Sequence, residues 1–188
     1  MAFRRGFKSE AAGIAADVRS DLKAGLFGRL DPRALADFLD ITVIDLSSLE
    51  TDAPAIRHLL VTEPEVFSAV TVFAGRRRTI VHNDGHCAAR QNSNICHELS
   101  HGLLQHPPTP AMDDRGCRIW NQDIEDEATW LAGCILVPEQ AALATARGNW
   151  TIVQAAERFG VSEAMISYRI NATGAAIRVR RAALAGRR

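Results

Sequence analysis

What the sequence lacks narrows its possibilities first. Its 22 basic and 22 acidic residues cancel, so no overall field favours nucleic acid or an anionic membrane surface. Binding of either kind must come from a local patch. The four cysteines (Cys87, Cys96, Cys117 and Cys134) form no CxxC pair and no framework spacing, which excludes a disulfide scaffold and leaves reduced cytosolic thiols as the expectation. No stretch reaches the roughly 18 uninterrupted apolar residues that span a bilayer. Near the start of the chain Lys8, Glu10 and Asp17 interrupt any apolar signal-peptide core, so a cytoplasmic protein is expected. Internal repeats and low-complexity segments are also missing.

What is present is 47% hydrophobic content in 188 residues, enough to bury one core without staples. Ser9 is expected to cap a first helix, in which Ala11, Ile14, Ala15, Val18 and Leu22 recur at helical spacing up to a stop at Gly25. Asp31 followed by Pro32 marks the cap and first position of a second helix through Leu35 and Phe38. Residues 41–46 (ITVIDL), 66–75 (VFSAVTVFAG) and 79–83 (TIVHN) are rich in β-branched and aromatic side chains and predict strands. Ala74 and Gly75 make a turn that pairs the last two as a hairpin. A helix is predicted from about Ser93 to His106, ended by Pro107 and Pro108, and another from about Asp123 to Val137, stopped by Pro138. Smaller helices fill residues 139–169. The expected fold is α+β, with a peptidase unit over 1–150 and a helical segment with a basic tail over 151–188 packed on it.

The chemistry is concentrated in Ile95-Cys96-His97-Glu98-Leu99-Ser100-His101, an HExxH sequence on a predicted helix. Residues four apart share a helix face, so His97 and His101 can converge on one ion. Glu98 can reach water activated by that ion without being a ligand. Zinc lowers the pKa of such a water towards about 7, and a nearby carboxylate takes its proton as it attacks a carbonyl carbon. With 6 histidines in the chain a chance match is expected roughly once in 100 such sequences, which makes the motif a strong signal. The plainer reading is a pair of surface histidines on a polar helix.

A catalytic zinc takes three protein ligands. The extended HExxHxxGxxH pattern needs glycine at position 104 and histidine at 107, but the chain has Leu104 and Pro107 there, so a three-histidine site is excluded. His106 is one position off and reads as a helix-end histidine near backbone carbonyls. Among Asp123, Glu125, Asp126 and Glu127, Glu125 shares a face with the small residues Ala128, Thr129 and Ala132 and is the favoured third ligand. Glu127, on the face of Trp130, Leu131 and Cys134, is the alternative; the other acids suit a solvated first turn that complements the helix dipole.

The sequence also resembles a family, the metallopeptidases related to an immunity-region anti-repressor protease and a bacterial radiation-response regulator (ImmA/IrrE). The resemblance is carried by RRGFKSEAAGIAADVR, RQNSNICHELSHGLLQH, IEDEATWLAGCILVP and AAERFGVSEAMISYRI, in that order from residue 4 to about 170. It implies a zincin-like fold and zinc, with the first Glu of an E-x-E-A pattern, here Glu125, as third ligand. Thr129 stands where Asn is common in that family, and Leu131 where Phe is. It further implies a protein substrate, a helix-turn-helix repressor whose cleavage switches genes on.

Residues 152–170 have helix-turn-helix spacing, with Ala156 small, Gly160 in the turn and Ile166 inside the second helix. Arg178, Arg180, Arg181, Arg187 and Arg188 could reach phosphates. Against DNA reading, the second helix offers only Tyr168 and Arg169 as contact residues, and a bihelical packing unit with a frayed tail is favoured. Arg76 to Arg78 read as a charged surface turn rather than a docking patch, and His86 as a solvent-facing loop histidine rather than an aid to the transition state. Cys96 and Cys117 read as buried, inert thiols rather than metal-reaching ones. The leading reading is an endopeptidase; its rivals are a DNA-binding regulator with a structural metal and a sensor that binds a partner without cutting it. Glu98 favours the first, because a purely structural site needs no base.

Overall fold

The computed structural model describes residues 3–49, 53–75, 77–107 and 121–185. Among them the chain forms α1 (Phe7–Asp21), α2 (Pro32–Phe38), β1 (Thr42–Asp45), α3 (Pro54–Arg57), β2 (Ala69–Ala74), β3 (Arg77–His82) and α4 (Ala88–Leu103). These are followed by α5 (Gln122–Leu136), α6 (Glu139–Ala146), α7 (Ile152–Phe159), α8 (Glu163–Ala172) and α9 (Ala175–Ala185). The architecture is α+β, as the sequence implies.

The expected hairpin is present: β2 and β3 pair antiparallel through Gly75, whose φ of 61° suits the left-handed turn. A parallel pairing of β1 with β3 completes a sheet of order β1-β3-β2. Parallel strands need the chain to return to its starting end; here β2 makes the return, and it is reached from β1 by a crossover of short helical turns at Leu46–Ser48, Pro54–Arg57, His58–Thr62 and Pro64–Val66. Asn83 pins it down. Fully buried, it donates Nδ2 to the carbonyls of Leu59, Pro64 and Phe67 at 3.3, 3.0 and 3.2 Å, while its Oδ1 accepts from Gly85 N.

Helix α5 is the centre of the molecule. Trp130 to Leu136 are buried all round, as expected of a helix packed on several sides. It lies against α4 and α1 and touches α8. Phe7, Ala11 and Ala15 of α1, Leu35 of α2, Ile80 of β3, Ile95 and Leu99 of α4, Phe159 and Ile166 join it in one apolar cluster.

Two helix starts differ from the sequence reading. Gly6, at φ 85°, caps α1, and Ser9 lies inside the first turn with its N–H on the Gly6 carbonyl at 3.1 Å. The helix also ends earlier, at Asp21, because Lys23 takes a left-handed φ of 54° before Gly25 is reached. Helix α4 starts at Ala88, five residues before Ser93, and side-chain bonds to the preceding turn hold its first turn: Gln91 Nε2 donates to the carbonyls of Asp84 and His86 at 2.9 and 2.7 Å. Asp31 caps α2 as its sequence predicts, accepting from Arg33 N at 2.9 Å.

Candidate metal centre

Helices α4 and α5 approach closely because the facing residues are small. Ala128 and Ala132 are buried, and Cys96 Sγ lies 3.8 Å from the Ala132 carbonyl. Across this seam three side chains from the HExxH helix and the acidic turn converge. His97 Nε2 lies 3.1 Å from Glu125 Oε2 and 3.1 Å from His101 Nε2, and His101 Nε2 lies 3.7 Å from Glu125 Oε2. Their side chains are 25, 22 and 25% exposed for His97, His101 and Glu125, so the cluster opens to solvent and a ligand can reach it. Hydrogen bonds with His101 and His97 hold the Glu125 carboxyl well below the usual carboxylate range, against the opposing effect of burial.

The donor set fits zinc. Ligands at about 2.0–2.1 Å from a tetrahedral ion stand about 3.3 Å from one another, and the three contacts here are 3.1, 3.1 and 3.7 Å. Two nitrogens and one carboxylate oxygen are also the ligand chemistry of catalytic zinc, which leaves a position for water or substrate. Among the described residues no other group of histidines, cysteines and acids meets in this way.

Glu98 follows His97 on α4 and is engaged from the sheet: Thr71 of β2 donates its hydroxyl to Glu98 Oε2 at 2.6 Å. The register pairs Thr71 with the buried Ile80 on β3. Among the described residues β2 is an edge of the sheet, with no ladder partner on one side of its backbone. The sequence carried no local sign that Thr71 would meet Glu98, since 27 residues separate them.

Glu127, the alternative ligand, faces elsewhere. Its Oε2 lies 3.3 Å from His106 Nε2, and its Oε1 accepts from Arg4 Nε at 3.1 Å. His106 therefore does not serve backbone carbonyls, as its position in the sequence suggested: its Nδ1 lies 3.0 Å from Nδ1 of His101. Burial lowers the pKa of His106, with Glu127 opposing. His86 is also a correction. It is buried rather than solvent-facing, with Nε2 3.0 Å from the Pro64 carbonyl, and it supports the crossover.

Cys96 is buried on the α5-facing side of α4, where burial pushes its thiol pKa up. Arg78 is not a free turn charge: it lies over the Phe73 ring and fills the space beside Gly102 on α4. Arg76, Cys117, Arg187 and Arg188 lie outside the described residues, as do residues 108–120 between α4 and α5.

In the helix-turn-helix-like segment, the two candidate DNA contacts turn inward. Arg169 is 2% exposed, donates Nε to the Val137 carbonyl at 2.9 Å and sits over Trp130. Tyr168 and Arg169 both pack against Gly133 of α5. Through residue 185 the tail is helical: α9 continues to Ala185, with Arg178 paired to Glu139.

A family model described as Peptidase M78, IrrE N-terminal-like domain, matches residues 40–171. No curated protein matches the chain.

Proposed function

The chain belongs to the M78 family of metallopeptidases, and on that premise we propose that it is a zinc-dependent endopeptidase with His97, His101 and Glu125 as ligands and Glu98 as general base. The observation that carries the reading is the triangle of Nε2, Nε2 and Oε2 at 3.1, 3.1 and 3.7 Å, the spacing of three corners of a zinc tetrahedron. When bound, zinc supplies Lewis acidity that polarises the scissile carbonyl and brings the pKa of water towards about 7. Glu98 accepts the proton of the attacking water and later delivers it to the leaving amine. Thr71 fixes that carboxylate through its hydroxyl.

The open edge of β2 offers main-chain donors and acceptors to an extended substrate, which would add as a strand beside Thr71 and Glu98. The substrate is a helix-turn-helix repressor, acted on in the cytoplasm, and its proteolysis releases the genes it holds silent. Family resemblance supports that substrate. Among the described residues no helix is long and apolar enough to cross a membrane.

DNA is not the partner in this reading, because the inward turn of Tyr168 and Arg169 removes the side chains that would read bases. Incubating the full chain with the helix-turn-helix proteins encoded beside its gene tests the proposal. Cleavage at a defined bond, abolished by a chelator and restored by zinc, is the expected result. A chain that holds no zinc would remove the metal role, and one that leaves every such protein intact would remove the substrate.

A further inference from the structure

The two histidines of the HExxH helix are supported differently on their far sides. Among the described residues, Nδ1 of His97 faces one long contact, Thr129 Oγ1 at 3.4 Å. Nδ1 of His101 faces Nδ1 of His106 at 3.0 Å. Gln105 makes this possible: at φ 55° it turns the chain back at the end of α4, and His106 N donates to the His101 carbonyl at 3.0 Å.

A nitrogen that binds a metal must present a lone pair, and a neutral imidazole then keeps its one N–H on the other nitrogen. For His101 the inward atom is Nε2, which faces His97 and Glu125. Its proton must therefore sit on Nδ1. Two N–H groups cannot face each other at 3.0 Å, so His106 has to accept there and carry its own proton on Nε2. That nitrogen faces Glu127 Oε2 at 3.3 Å, and an ionised carboxylate can only accept. The other oxygen of Glu127 accepts from Arg4 Nε, and Arg4 is anchored by Glu10 at 2.6 and 2.9 Å. Each link allows one proton placement, and the placements agree from Arg4 to His101. The inner links are shielded, since the side chains of His106 and Glu127 are 9 and 15% exposed.

We propose that His106 is a positioning residue of the metal centre, fixing the tautomer and ring orientation in which His101 binds, and that Glu127 fixes His106 in turn. The proposal rests on the reading of His97, His101 and Glu125 as the ligand set. Outer partners of this kind are worth about 10–100-fold in metal affinity.

Zinc affinity of the full chain, measured by competition with a chromophoric chelator, tests it without any substrate. His106→Leu removes the acceptor and should weaken zinc about 10–100-fold, while His106→Asn, whose side-chain oxygen can take the place of Nδ1, should recover most of that loss. Glu127→Ala should weaken zinc less than His106→Leu does. The melting temperature of the metal-free protein should change little in His106→Asn and Glu127→Ala, which carry the decision if His106→Leu fails to fold. Glu125→Ala and His101→Ala separate the two readings: if neither weakens zinc, the ligand set itself is wrong. If those two release zinc while His106→Leu and Glu127→Ala bind it like the unaltered chain, the relay alone is overturned. Equal weakening in His106→Leu and His106→Asn would reduce His106 to a packing residue and also overturn it.

Discussion

Helix α4 and the α7–α8 pair are held in place by opposite means. The C-terminal pair is specified locally: Thr151 and Gln154 form a reciprocal capping box, Gly160 closes α7 at φ 66°, and Ser162 caps α8 by accepting from Met165 N. Helix α4 has no such signals. It begins at Cys87 without a side-chain cap and leaves through Gln105, a non-glycine residue in the left-handed region. Its neighbours hold it instead, through Thr71 on Glu98, Asn92 Nδ2 on the Gly160 carbonyl at 2.8 Å, and the Ile95 and Leu99 side chains in the core. The helix that offers polar side chains to a ligand relies on tertiary contacts, and the pair that secures its own ends spends its polar groups on backbone. Substitutions should therefore separate chemistry from stability according to the region they touch.

The largest effect is expected from Glu98→Gln on α4. Proteolysis should fall by roughly 10²–10⁴-fold, the usual worth of a general base, while zinc content and the melting temperature stay near those of the unaltered chain. Loss of zinc in this variant would make Glu98 a ligand and erase the contrast. Gly133→Ala, where α5 supports α8, should act the other way. Its new Cβ would lie 2.9 Å from Arg169 Cδ and 3.3 Å from Tyr168 Cε1, and overpacking of this kind costs about 1–3 kcal/mol. Denaturant unfolding should show that loss with zinc affinity unchanged.

Thr151→Ala removes one half of the capping box and should cost about 0.5–2 kcal/mol, again without touching zinc. A fall in zinc affinity here would show that the α7–α8 pair is coupled to the site, which the Asn92 bond to Gly160 makes the sharpest place to look. The smallest effect is expected on DNA. Titrating the protein on its own upstream region and on scrambled DNA, at two salt concentrations, should give nearly equal affinities that fall steeply with salt, as counterion release requires. Tight binding that prefers the native sequence would promote the C-terminal pair from packing unit to reader.

Much of this was legible in the sequence where the signal is local. The spacing of His97 and His101 and the small face beside Glu125 are properties of one helix each, so their convergence could be read in advance. The β2–β3 turn and the Asp31 cap are equally local. What escaped depends on distant partners. The β1–β3 pairing needs the crossover tied down by Asn83, whose carbonyl partners lie 16 to 24 residues away. His86, Tyr168 and Arg169 looked like surface residues because their types are polar, yet the first supports the crossover and the other two fill the space beside a glycine. His106 failed the linear spacing by one position, and a left-handed residue at 105 brought it back to the centre by another route.

Arg19 shows where this chain can and cannot be cut. It is 2% exposed, and its guanidinium is solvated by carbonyls, Ile135 of α5 at 2.6 Å and Gly25 at 2.7 Å, with Gly28 as a third. Burial depresses its pKa, yet guanidinium remains charged, so among the described residues the site is a buried cation held by carbonyl dipoles. The family match begins at residue 40. A shortened chain starting there would lose Phe7, Ala11 and Ala15 from the interior, strip the Ile135 carbonyl of its donor and remove Arg4 from Glu127. Side chains before residue 40 are thus part of the interior, and a fragment made to the limits of the family match would be missing one wall of its own core.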